Sequence, residues 1–149
     1  MSSIEGLWVG VGCKRGTSAV LIQFALQSAC DCARISWTAI AGLATLERKR
    51  TEAGLLEVSQ IHRWPIAYFT AAELKNCPIP HPSSALESIV GTPSVAEAAA
   101  LSAAANSGQL KSAVLILPKQ IFRLPQEPGA VTLAIAQHVP IPTRPQRIT

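Results

Sequence analysis

The chain has 149 residues, 48% of them hydrophobic and 15% charged, with a formal net charge of +4 at neutral pH. That length suits one domain with an ordinary core, and that apolar content excludes a disordered chain. Mean hydropathy is high at +0.28, yet every apolar run is broken by Gln, Ser, Arg or Pro well short of the roughly 18–20 residues of a membrane span.

Leu7 to Gly12 is short, aliphatic and bounded by glycine, the pattern of a buried strand. Thr17 to about Asp31 is apolar on nearly every side and reads as a well-buried helix. Thr38 to Ala44 reads as a short second helix leading to a weak strand at Thr45 to Glu47. Glu52 to Arg63 sets Leu55, Val58, Ser59 and His62 on one face of an amphipathic helix. Pro65 to Phe69 is a strand whose proline takes the tolerated first position. A short capped helix at Thr70 to Leu74 is followed by a loop with Pro78, Pro80 and Pro82, which a role as a lid would suit.

Gly91-Thr92-Pro93-Ser94 then opens an alanine-rich helix, with Ser94 and Glu97 in the S-x-x-E capping box. Ser112 to Leu117 and Ala130 to Ala136 are two further strands. The prolines between them allow no helical crossover, so a hairpin makes this pair antiparallel. One domain over residues 1–138 is expected, with 139–149 as an extended proline-rich tail. The order of elements predicts an α/β fold: a three-layer αβα sandwich around a mixed, mostly parallel sheet of about five strands with an antiparallel edge. Ligands of such sheets gather at the carboxyl ends of the strands. That rule singles out the segments after Gly12, after the second strand and after Phe69.

The N-terminus has no basic stretch ahead of its first apolar run, so a cytoplasmic protein is expected. Cys13, Cys30, Cys32 and Cys77 lack metal-ligand spacing and are expected to stay reduced; no metal and no cofactor is expected. The isoelectric point near 9.1 favours an anionic partner. Sparse aromatics without basic interleaving argue against nucleic acid.

The densest chemistry lies in "GVGCKRGTS", Gly10 to Ser18. Its third glycine comes one residue late for a dinucleotide fingerprint, and Gly16 is followed by Thr17 rather than by the lysine of a Walker loop. What remains is a helix start flanked by Lys14 and Arg15, suited to an anion, or a tight turn with solvated cations. Cys13 is a candidate nucleophile, its thiol activated by the helix start and the adjacent cations, or simply a small buried residue. Arg48-Lys49-Arg50 is either a solvated loop or the second half of an anion site with Lys14 and Arg15. Glu97 reads first as a cap and His62 as a packed histidine; His81 has no assigned role.

Four stretches in order carry a resemblance: "WVGVGCKRGTS", "KRTEAGL", "GTPSVAEAAAL", and "PKQ" followed by "VTLAIA". Together they resemble the cobalamin-biosynthesis protein CobE and the homologous C-terminal domain of the cobalt-precorrin-5A hydrolase CbiG, over about residues 7–136. The resemblance implies a single αβα domain acting in corrin-ring assembly. It implies an anionic, precorrin-type polycarboxylate tetrapyrrole as ligand, with Gly12, Arg15, Gly16, Thr17, Lys49, Gly91, Ser94 and Lys119 at matching positions as contacts, and the charge of the loop adds Lys14. Other cobalamin-pathway enzymes are the partners it suggests, without nucleic acid or membrane. The alternative is an enzyme of the same pathway, a hydrolase or deacylase opening a lactone, with Cys13, Glu52 and Glu97 as its reactive groups. Outside the family stands a phosphate-ligand domain using the same loop.

Overall fold

The computed structural model describes residues 6–75, 94–107 and 112–139. The elements in chain order are β1 (Leu7–Cys13), α1 (Ala19–Ala33), β2 (Ile40–Leu46), α2 (Ala53–His62), β3 (Ile66–Phe69), α3 (Ala71–Lys75), α4 (Val95–Ser107), β4 (Ala113–Leu124) and β5 (Glu127–His138). The proline-rich loop over residues 76–90, Gly91 and the tail from Pro140 lie outside the described residues.

The five strands form one sheet in the order β3-β2-β1-β5-β4. β1, β2 and β3 are mutually parallel, while β5 runs antiparallel to both β1 and β4. Four strands thus share a direction. The expected α/β sandwich is the fold found, with one refinement: the reversed strand lies inside the sheet rather than at its rim. The hairpin joining β4 to β5 is tighter than the sequence pattern indicated, because both strands continue through the proline-bearing stretch to a turn at Pro125 and Gln126.

One expectation fails. The segment Thr38 to Ala44 is not a helix: Ser36 caps a single 3₁₀ turn at Trp37–Ala39, and Ile40 then begins a seven-residue strand. β2 pairs with strands on both sides and is buried on both faces. Such a strand is apolar without alternation, a pattern that a buried helix shares.

The two faces of the sheet are packed differently. On one, Leu7, Val9 and Val11 of β1 meet Leu21, Ile22 and Leu26 of α1 and Leu55 and Val58 of α2, all fully buried. Each such side chain contributes roughly 1.5–3 kcal/mol by burial. On the other face, α4 lays Ala96, Ala100 and Ala104 against Ala134 and Ala136, and Ala98, Ala99 and Ala103 toward Ala44 and Ala67. Alanines bring this helix close to the backbone of the sheet. At Gly10 a Cβ would overlap the carbonyl oxygen of Ala96, so only glycine admits α4 at this distance. Among the described residues, no helix is long and apolar enough to cross a membrane.

Candidate functional site

The carboxyl end of β1 leads into the corner that the sequence marked. Lys14, Arg15 and Gly16 are exposed, and Gly16 adopts φ +82°. Thr17 closes the turn by donating its hydroxyl to the Lys14 carbonyl at 2.7 Å and its backbone N–H to the same oxygen at 3.2 Å. Ser18 caps α1 by accepting the Leu21 N–H at 3.1 Å.

An anion does sit on this corner, and the chain supplies it. The Glu52 carboxylate accepts the Gly16 N–H at 2.9 Å, and Glu52 is only 8% exposed. Two residues on, Gly54 packs so tightly on the Thr17 carbonyl that a side chain there would overlap it. Glu52 and Gly54, at the start of α2, therefore dock on the turn between β1 and α1. This pairing brings together two of the motifs separated in sequence. It also spends the Gly16 and Thr17 N–H groups that the sequence reading offered to a ligand.

Cys13 packs against the apolar cluster beneath α1 and α2. Burial pushes its thiol up from the ordinary value, outweighing the positive charge of Lys49 and the Thr17 hydroxyl, which pull it down; Glu52 adds to the rise. The activated thiolate expected from the helix start and neighbouring cations is therefore not what the fold produces. No described histidine stands near it. His62 clusters with Trp37 (4.7 Å) and Trp64 (4.2 Å), rings that also contact each other, at the amino end of the sheet, where burial lowers its pKa. His138 closes β5 beside Leu7, at that same end.

Ser94 and Glu97 form the expected capping box. Ser94 Oγ accepts the Glu97 N–H at 3.1 Å, and Glu97 Oε1 accepts the Ser94 N–H at 3.3 Å. The second carboxylate oxygen does more, accepting the Lys119 N–H at 3.0 Å. Lys119 falls where the register of β4 against β5 slips between Leu117 and Gln120. A bulge there turns a ladder N–H toward α4. Glu97, 3% exposed, thus ties the first turn of α4 to the sheet. Ser94 and Lys119 meet through it, while Gly91 lies outside the described residues.

A cavity of about 870 Å³ opens beyond the carboxyl ends of β2 and β3. Leu46, Phe69, Leu74, Val95 and Ala98 give it an apolar wall, and Glu47, Arg48, Arg50, Thr70 and Lys75 line it with polar groups. The 3₁₀ turn Glu47–Lys49 distributes the cations. Arg48 and Arg50 reach the cavity, whereas Lys49 acts on Cys13. Arg50 also rests its guanidinium 4.7 Å above the Tyr68 ring. Sequence reasoning offered the whole cluster as half of an anion site but took only Lys49 as a ligand contact, and it missed Lys75 and the apolar wall. The available signal was the rule of strand carboxyl ends, which pointed at both flanking loops.

The family described as Cobalamin synthesis G C-terminus matches residues 7–136. A curated relative, the cobalt-precorrin-5A hydrolase of Priestia megaterium, is 35% identical over 95 residues, covering 64% of this chain and 25% of that enzyme. The chain thus spans a quarter of the curated relative it matches. Among solved structures, CobE, a protein from the cobalamin biosynthetic pathway, superposes with a TM-score of 0.67 at 29% identity, covering 93% of each chain. The cobalamin biosynthesis protein chiG from Agrobacterium tumefaciens gives 0.60 at 29% identity, over 89% of this chain and 98% of that one. With a family match over most of its length and these two folds alongside, the chain belongs to the cobalamin synthesis G C-terminal family and is a domain of cobalamin biosynthesis.

Proposed function

We propose that the chain binds a polycarboxylate tetrapyrrole intermediate of cobalamin biosynthesis at the carboxyl end of its sheet. The observation that carries this reading is the distribution of charge. Of the ten Lys and Arg among the described residues, six follow β1, β2 or β3 at that end: Lys14, Arg15, Arg48, Lys49, Arg50 and Lys75. Corrin precursors bear several carboxylate arms on an apolar ring, and such a ligand suits basic loops beside an apolar wall.

Titrating the purified protein with a polycarboxylate porphyrin such as uroporphyrin, read by visible absorbance, tests the proposal. A saturable spectral shift that weakens as salt is raised is expected. A spectrum that does not change at any protein concentration would sink it.

The hydrolase relative favours a second reading, hydrolysis of a precorrin. Its candidate groups are otherwise engaged: Cys13 is held as a thiol, and the Glu52 and Glu97 carboxylates accept backbone N–H groups. Turnover of a precorrin by the isolated chain, lost in Cys13→Ala, would favour the enzyme over the carrier.

A further inference from the structure

The geometry points to the cavity beyond β2 and β3, not the corner between β1 and α1, as the seat of the tetrapyrrole, with Arg48, Arg50 and Lys75 taking its carboxylates and Leu46, Phe69 and Leu74 taking an edge of its ring. This inference rests on the proposed function and names the site within it.

Three observations support the choice. The corner has already spent the backbone donors of its turn, because the Gly16 N–H goes to Glu52 and the Thr17 N–H to Lys14. A ligand carboxylate seeking the Gly16 N–H would have to displace an internal one. The cavity instead sets its cations beside an apolar wall. Among the described residues none of the three stands in an ion pair, although Glu47 shares the lining. Their full charge is therefore available to an incoming anion.

Shape and orientation give the second and third. A volume of about 870 Å³ is at the upper end of small-molecule sites, as a ring of tetrapyrrole size requires. The lining divides into an apolar wall from β2, β3, α3 and α4 and a cationic side from the segment after β2 and the end of α3. That division matches an apolar ring with charged arms. Arg50 is also restrained, because its guanidinium lies over the Tyr68 ring. A restrained guanidinium loses less freedom on meeting a carboxylate and presents its paired N–H donors in a fixed fork. Arg48 and Lys75 carry no such restraint and suit arms of varied length.

The site separates from Cys13 by construction. Cys13 packs with the α1 and α2 core, whereas the cavity is bounded by Ala98 of α4 on the other face of the sheet. Cys13 does not line the cavity, which favours holding the ligand there over attacking it.

The test compares charge removals in the same uroporphyrin titration. Arg48→Gln with Lys75→Gln is expected to raise Kd by about tenfold or more, since each removes a hydrogen bond between charged groups. Arg50→Gln is expected to weaken binding similarly and Tyr68→Leu by less. Lys14→Gln with Arg15→Gln removes the same charge from the corner and is expected to cost far less than the cavity pair. Arg34→Gln with Arg63→Gln, at the amino end of the sheet, controls for net charge and is expected to leave Kd in place. A porphyrin whose carboxylates are converted to primary amides is expected to lose the difference between wild type and the cavity pair. Circular dichroism melts confirm that each variant is folded; Val95→Trp, a substitution at a 40% exposed lining residue, gives an independent block of the cavity. A corner pair that weakens binding more than the cavity pair would overturn the placement while leaving the proposed function standing. Absence of binding by the wild-type protein would overturn both.

Discussion

At the carboxyl end of the sheet, the corner between β1 and α1 satisfies the Gly16 and Thr17 N–H groups from within the chain, whereas the cavity beyond β2 and β3 sets cations, none of them ion-paired among the described residues, beside an apolar wall. The corner is held by local turns and by Glu52, a carboxylate from a distant helix that occupies the Gly16 N–H. The cavity offers Arg48, Arg50 and Lys75 beside an apolar wall. A motif rich in glycine and cations thus marks a place where two elements lock together. The proposed seat of the anion draws its lining from five separate elements and turns, brought together only by the fold. A buried, fully partnered charge stabilises a fold, and an unpartnered one at a cavity is free to bind.

The comparison breaks most severely at Gly10. Gly10→Val drives a side chain into the Ala96 carbonyl and lifts α4, which supplies one wall of the cavity. A loss of about 3 kcal/mol or more in urea unfolding is expected, together with loss of tetrapyrrole binding. A well-folded variant that still binds would show that α4 need not sit close to the sheet.

Glu97 comes next. Glu97→Ala leaves the Ser94 and Lys119 N–H groups without acceptors and is expected to cost about 2–3 kcal/mol, against about 1 kcal/mol for Glu97→Gln, which keeps one acceptor oxygen. Loss of turnover by Glu97→Gln with stability unchanged would instead make this carboxylate part of the chemistry.

Glu52→Gln tests the self-satisfied corner. Replacing the charged acceptor of the Gly16 N–H is expected to cost about 1 kcal/mol, seen as a lower urea midpoint with the m-value unchanged. The smallest effect concerns the reactivity of Cys13. Burial raises its thiol above the ordinary value, so alkylation by iodoacetamide should stay slow at neutral pH and accelerate only as pH rises through that elevated value. Lys49→Gln should move the midpoint higher and Glu52→Gln lower, because the first removes a stabilising charge on the thiolate and the second a repelling one. Fast labelling at neutral pH would restore Cys13 as a nucleophile.

Much of the fold was legible because its signals are local. The capping box at Ser94 and Glu97, the glycine-bounded strand at β1 and the antiparallel hairpin all depend on neighbours in sequence. β2 was misread because a strand buried on both faces carries no alternation to distinguish it from a helix. The site was harder. That Glu52 would reach Gly16, 36 residues away, or Glu97 reach Lys119, 22 away, follows from how α2 and α4 dock, which no short pattern encodes. The division of Arg48, Lys49 and Arg50 between two places depends on one 3₁₀ turn, invisible in a run of three cations.

The claim at the centre is that the ligand occupies the cavity and leaves the corner as it is. Backbone amide shifts of labelled protein during a uroporphyrin titration read both places at once. Saturable shifts confined to Leu46–Arg50, Phe69–Lys75 and the first turn of α4, with the Gly16 and Thr17 amides unmoved, are the predicted result. Shifts centred on Gly16 to Ser18, with the cavity residues silent, would contradict it.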